Sequence, residues 1–258
     1  MLTGVIHLPP LPGSPRAELP AREIAKLAAR DARVLVSSGF DAVIVENFGD
    51  APFQKLADKV TVSALTVAAL AVREASLGKR LGINVLRNDA EAALAIAVAA
   101  GADFVRVNVH TGARVTDQGL VEGRAGETLR LRRALGATDV GIWADVDVKH
   151  SAPLTPRAVP DEAQDVEARG LASVVLVTGE GTGRPVDLAR LEAVRRAVTV
   201  PVYVASGATV DSLSALAGAA DGIIVGSALR ADGRAGGPVD EVRAKSFAEA
   251  FRRAFAKG

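Results

Sequence analysis

The sequence predicts a single (β/α)8 barrel, the TIM-barrel architecture, with residues 1–258 forming one domain. Three observations carry that expectation: the length, a repeated helix-to-strand phrase, and the alternation of side chains along the strands. A chain of 258 residues with 49% hydrophobic residues and a mean hydropathy of +0.23 can fill one such barrel, and no linker or shift in composition divides it. The phrase is a glycine followed by a β-branched run, as in Gly39-Phe40-Asp41-Ala42-Val43-Ile44-Val45 and Gly101-Ala102-Asp103-Phe104-Val105-Arg106-Val107. Related phrases begin at Gly170 and Ala220. A glycine at this point allows the positive φ with which helices commonly end.

Counting every such run places strands near residues 3–7, 41–46, 81–85, 103–109, 140–147, 173–178, 201–205 and 222–226. Ala- and Leu-rich amphipathic stretches at 22–37, 54–76, 89–100 and 188–197 read as helices between them. An open doubly wound sheet is the alternative, but it would carry a Gly-x-Gly-x-x-Gly fingerprint after the first strand, which Gly4 to Leu8 lacks.

Charge and composition exclude several function classes. Lys and Arg total 31 against 30 for Asp and Glu, so a net charge of +1 supplies no electrostatic footprint for nucleic acid, and none is expected as a partner. The absence of cysteine removes disulfides, Fe–S clusters, thiolate zinc sites and cysteine nucleophiles, and suits a reducing compartment. Residues 1–15 lack the pattern of a secretory signal, so a cytoplasmic location is expected. The longest uncharged apolar runs, 92–102 and 60–72, are well short of the roughly 20 residues that span a bilayer, which leaves only peripheral membrane association open. A homo-oligomer is expected.

In a barrel, alternate side chains face the axis and the active site gathers at the C-terminal strand ends. In the fourth strand Val105, Val107 and Val109 take the helix side, which turns Phe104, Arg106, Asn108 and His110 inward. The fifth strand turns Trp143, Asp145, Asp147 and Lys149 inward by the same parity. His7, Glu46 and Asn84 end the first three strands on the inner face. His7, Glu46, His110, Asp145, Asp147 and Lys149 are therefore the expected proton-transfer residues, with Asn84, Arg106 and Asn108 as substrate-binding neighbours. The structural alternative is a set of internal ion pairs, such as Arg106 with Glu46 or Asp145. Lys149 could also serve as a Schiff-base amine. Glu46, Asp145 and Asp147 could ligate Mg2+, yet they can equally pair with Arg106, so neither a metal nor another cofactor is expected.

The last three strands end in small, donor-rich turns. Thr178, Gly179, Thr182 and Gly183 follow the sixth, Ser206 and Gly207 the seventh, and Gly226 and Ser227 the eighth. Exposed N–H groups and hydroxyls at that corner are expected to bind the phosphate of a phosphorylated small molecule, the alternative being plain tight connections. The segment 110–123 is polar, glycine-punctuated and longer than usual, which suggests a mobile lid. Proline-rich 150–160 should be stiffer, and 8–15 is a rigid connector that cannot be a central strand.

The chain resembles the BtpA family, also called BtpA/SgcQ, nearly from end to end. Its carriers are Gly4-Val5-Ile6-His7-Leu8-Pro9-Pro10-Leu11-Pro12-Gly13-Ser14-Pro15, Val45-Glu46-Asn47-Phe48-Gly49-Asp50, Gly82-Ile83-Asn84-Val85-Leu86-Arg87-Asn88-Asp89, Arg106-Val107-Asn108-Val109-His110-Thr111-Gly112, Ala144-Asp145-Val146-Asp147-Val148-Lys149-His150 and Asp221-Gly222-Ile223-Ile224-Val225-Gly226-Ser227. The resemblance implies a TIM barrel and two functional classes. One is an enzyme acting by acid/base chemistry on a sugar phosphate or ribosyl phosphate, as a lyase, isomerase or hydrolase. The other is a non-catalytic factor for a membrane complex, as in the photosystem I biogenesis attributed to cyanobacterial members.

Overall fold

A computed structural model describes residues 1–179 and 186–256. Eight parallel strands close into a barrel: β1 Leu2–His7, β2 Ala42–Glu46, β3 Arg80–Asn84, β4 Phe104–Val107, β5 Gly141–Val146, β6 Val174–Val177, β7 Val202–Val204 and β8 Gly222–Val225. Each strand pairs with its neighbours in sequence, and β1 pairs with β8 to complete the circle. Eight helices follow the strands in turn: α1 Ala21–Ser37, α2 Lys59–Ala75, α3 Ala90–Ala100, α4 Ala125–Ala134, α5 Val159–Ala168, α6 Leu188–Ala197, α7 Leu213–Leu216 and α8 Glu241–Phe255. No helix among the described residues is long and apolar enough to cross a membrane.

Local chemistry sets the boundaries. α2 starts later than the apolar pattern at 54–76 suggests because the Asp58 carboxylate accepts from the Thr61 N–H, satisfying one of the helix's free N-terminal donors. Asp89 and Asp187 cap α3 and α6 in the same way, and Gly101 ends α3 at φ +62°, the left-handed conformation expected there.

Alternation along the strands separates two apolar layers. Val43, Val45, Ile83, Val105, Ile142 and Val175 face the helices in the main core. Val5, Ile44, Phe104, Trp143, Leu176 and Tyr203 fill the barrel axis. The chain's single Trp and single Tyr are both there: Trp143 stacks on Phe104 with centroids 3.5 Å apart, and Tyr203 meets Trp143 edge-on. Arg80 lies over both stacked rings, 5.9 Å from each. This plug makes the lower barrel a packed core and confines open space to the C-terminal end.

Segment 110–123 is built as a hairpin, Ala113–Thr116 with Gly119–Glu122, and Ala152–Pro153 from the proline-rich loop adds a third strand. Arg114 pins it through ion pairs with Asp147 and Glu162. The expected lid is thus an anchored hairpin, and none of its residues lines the main cavity. The turn after the eighth strand continues into a single 3-10 turn, Ser227–Leu229.

The plug depends on a missing side chain at Gly82, where a Cβ would lie 2.2 Å from the Phe104 ring. Gly82→Ala should therefore destabilise the protein by about 1 to 3 kcal/mol in chemical denaturation, the range for overpacking a filled core. Phe104→Leu in the same chain should recover part of that loss. Additive losses in the double variant would show that the two positions do not share this space.

Candidate active site

A cavity of about 720 Å3 opens above the aromatic plug. His7, Glu46, Arg106, Asn108 and Lys149, in or just past β1, β2, β4 and β5, line it, and Ser206, Gly207, Gly226 and Ser227 line the opposite side. Loops complete the wall: Pro9, Pro10 and Arg16 after β1, Phe48 after β2, Arg87 after β3, and Gly236 before α8. The proline-rich segment after β1 is therefore part of the wall as well as a connector.

His7 is held in one tautomer. Its Nδ1 accepts from the Gly236 backbone N–H at 3.1 Å and from Arg230 Nη2 at 3.2 Å, so the ring proton is on Nε2. That Nε2 is 3.9 Å from Glu46 Oε1. Burial lowers the His7 pKa well below 6.5, reinforced by the positive fields of Arg230, Lys149 and Arg106. His7 is consequently a neutral donor at physiological pH. Glu46 Oε2 accepts from Asn84 Nδ2 at 2.6 Å, which leaves Oε1 on the His7 side.

Arg106 forms the floor, held by Asp145 through two hydrogen bonds of 3.0 Å, and Asn108 Nδ2 donates to the same carboxylate at 2.7 Å. Burial opposes the Arg106 cation, but the Asp145 charge outweighs it and holds the guanidinium above its ordinary value. Asp145 is thus the internal ion-pair partner of Arg106 and stands behind the cavity wall. Asn108 Oδ1 is buried without a partner among the described residues.

Lys149 lies between the two sides, its Nζ 3.4 Å from Ser206 Oγ. Burial lowers its pKa below the ordinary lysine value, and Arg106 adds to that shift against Glu46 and Asp145. The Lys149 backbone N–H donates to Thr178 Oγ1 at 3.2 Å, so Thr178 positions the lysine from outside the lining. Gly179 is buried and does not line the cavity; Thr182 and Gly183 lie outside the described residues. Asn84 likewise acts from behind Glu46.

Two expected members are turned away. Both polar backbone groups of Val109 bond to the Asn88 side chain, each at 2.8 Å, so the β4 ladder stops at Val107 and its alternation ends there. His110 then points out of the cavity, with Nε2 2.8 Å from the Gly170 carbonyl. Asp147 has φ +48°, which breaks the pleat after Val146 and sends its carboxylate to Arg114 and Arg190. Among the described residues no cluster of three or more His, Asp or Glu is arranged to hold a metal ion.

Strand parity did not reveal Arg87 or Arg230. Arg230 is buried and donates to the Val5 and Gly226 carbonyls as well as to His7, which ties the β1 and β8 ends together. A polar residue immediately past a strand end is the signal that would have pointed to Arg87.

The depressed pKa of His7 has a stability consequence. Below 6.5 the unfolded chain takes up a proton that folded His7 refuses, so stability falls as pH drops through that region until the folded pKa is reached. His7→Gln should flatten this pH dependence when unfolding free energy is measured from pH 7 downward. An unchanged slope would show that the His7 ring is not shielded as described.

A BtpA family profile matches residues 1–253. An uncharacterized protein of Thermococcus kodakarensis is 46% identical over 248 residues, covering 96% of this chain and 94% of its own length. The Synechocystis protein named photosystem I biogenesis protein BtpA is 45% identical over 250 residues, covering 96% of this chain and 86% of its own. In solved structures the fold resembles thiamine phosphate pyrophosphorylase from Pyrococcus furiosus, with a TM-score of 0.62 at 14% identity over 99% of this chain and 95% of that one. N-(5'-phosphoribosyl)anthranilate isomerase from the same organism gives 0.59 at 13% identity over 98% and 99%. At such low identity these structures establish the barrel fold alone, whereas the profile and the sequence relatives span nearly the whole sequence. The chain belongs to the BtpA family.

Proposed function

We propose that this protein is an enzyme that holds a small phosphorylated metabolite, a sugar phosphate or ribosyl phosphate, and acts on it by proton transfer. The observation that carries this reading is the approach of Lys149 Nζ to Ser206 Oγ beside Gly207, Gly226 and Ser227, a cation set among hydroxyl and backbone groups where β7 and β8 end. That corner is the usual phosphate site of a TIM barrel. The solved barrels of similar fold include proteins named for phosphorylated compounds, which is consistent with it.

In this reading the phosphate sits at the Ser206 and Ser227 corner and places the rest of the molecule over His7 and Glu46. Glu46 Oε1 takes the proton, because Asn84 holds Oε2. Neutral His7 uses its Nε2–H to polarise a substrate oxygen and stabilise developing negative charge, a role that needs no imidazolium. Lys149 supplies positive charge to the phosphate, and its lowered pKa also makes its amine available as a second proton carrier. Asp145 positions Arg106 and Asn108.

The name of the Synechocystis relative supports a second reading, a non-catalytic factor for assembly of a membrane complex. The buried polar wall favours the enzyme, since a factor acting through its outer surface has no use for charges that cost stability inside a barrel.

Calorimetric titration with inorganic phosphate and with ribose 5-phosphate tests the corner. Ser206→Ala should weaken both by about 1.5 to 3 kcal/mol, one charge-assisted hydrogen bond, and Lys149→Gln by at least as much. Gly226 is a poor test position, because a Cβ there would lie 2.9 Å from His7 Cε1 and disturb the ring as well as the ligand. Equal affinity in wild type and both variants would overturn the phosphate assignment. Raising the pH should weaken binding below the range expected for an exposed lysine, as Lys149 loses its proton early.

A further inference from the structure

Arg87 is only 7% exposed, yet among the described residues no carboxylate forms a salt bridge with it. Among the described residues the guanidinium makes one hydrogen bond, from Nη2 to the Lys149 carbonyl at 2.8 Å. A guanidinium has five N–H donors in a fixed fork, so most of this group's capacity is unspent. Arg106, the neighbouring buried arginine, is by contrast charge-paired with Asp145 through two of its donors. Burial makes the Arg87 cation costly and pushes its pKa down, with the Asp117, Asp145 and Glu46 carboxylates opposing that shift and Arg106 adding to it. A buried cation with no salt bridge among the described residues and most of its donors free, lining an open cavity, is disposed to take an anion from outside the chain.

The barrel's connectivity says where that anion lies. Arg87 follows β3 and Ser206 follows β7, and four steps separate these strands either way around the closed circle of eight. The two residues therefore stand on opposite sides of the mouth. Lys149 lies between them, its backbone carbonyl holding Arg87 and its amine near Ser206. We propose that Arg87 is a second anchor, for a carboxylate, so that the compound held in the cavity carries a phosphate at one end and a carboxylate at the other. A carboxylate fits because a single planar fork matches its two oxygens. Among the described residues the Arg87 side offers no glycine-rich, hydroxyl-bearing turn like the one at Ser206, as a second phosphate would use; its lining neighbours include Leu86, Phe53, Ala51 and His150.

This inference rests on the phosphate corner proposed above, and the test separates the two. Calorimetry compares 6-phosphogluconate with sorbitol 6-phosphate, which has a hydroxymethyl group where the first has a carboxylate. Wild type should bind the acid about tenfold or more tighter than the alcohol, the effect of one charge-assisted contact. Arg87→Met should abolish that preference by weakening the acid far more than the alcohol, and Arg87→Lys should restore part of it. The ligand-free Arg87→Met protein should be at least as stable to denaturant as wild type, because an unpaired buried charge has been removed. Equal binding of acid and alcohol by wild type, or a preference that survives Arg87→Met, would overturn the second anchor and leave the phosphate corner standing. A preference for fructose 1,6-bisphosphate over fructose 6-phosphate that depends on Arg87, with none for the carboxylate, would overturn the carboxylate assignment. A ligand-free Arg87→Met protein much less stable than wild type would make Arg87 a structural tie. Binding of neither six-carbon compound would overturn both readings together.

Discussion

The Arg106 and Asp145 pair is the interaction on which the upper half of the barrel depends. A charge on the axis of a closed sheet has no route to solvent except through the C-terminal mouth, so it must be answered from a neighbouring strand. Arg106 on β4 and Asp145 on β5 answer each other through two hydrogen bonds, and Asn108 takes a further place on the same carboxylate. Beneath them the stack of Phe104 and Trp143 seals the lower barrel. Above them the retained positive charge helps depress His7 and Lys149. One buried pair thus supports the cavity floor and helps set the protonation states of the groups over it.

A second set of contacts joins the ends of the chain around the site. Arg230 bonds to Val5, Gly226 and His7, and the Gly236 N–H reaches the same imidazole nitrogen. These contacts decide which His7 nitrogen carries the proton and keep that N–H turned toward Glu46. The segment after β8 therefore acts on the chemistry through His7 while contributing Gly236 and Gly237 to the wall. Gly226 belongs to this arrangement for steric reasons: its φ of −126° is open to any residue, but the space where a Cβ would go is filled by His7.

The inner wall was legible in the sequence wherever strand pairing enforces a period of two. Arg106, Asp145, Glu46, His7 and Asn84 fall on the axis side because the valines and isoleucines between them must meet helices. Legibility ended where pairing ended. The Asn88 side chain captures Val109 and takes the chain out of the ladder before His110, and a left-handed residue at Asp147 does the same after β5. Arg87 and Arg230 were invisible to that argument because they lie on loops, where no periodicity assigns a direction.

By itself the sequence determined the repeating strand and helix units, their closure into a barrel and the polar side of the first five strands, because glycine punctuation, apolar patterning and side-chain alternation are local properties of the chain. Tertiary structure decided which of those polar groups face a cavity and which are consumed by one another. It paired Asp145 with Arg106, gave Asp147 to Arg114 and Arg190, fixed the His7 proton through Arg230 and Gly236, and left Arg87 without a salt bridge among the described residues. The physical reason is separation along the chain: His7 and Arg230 are 223 residues apart, and only barrel closure brings β1 beside β8.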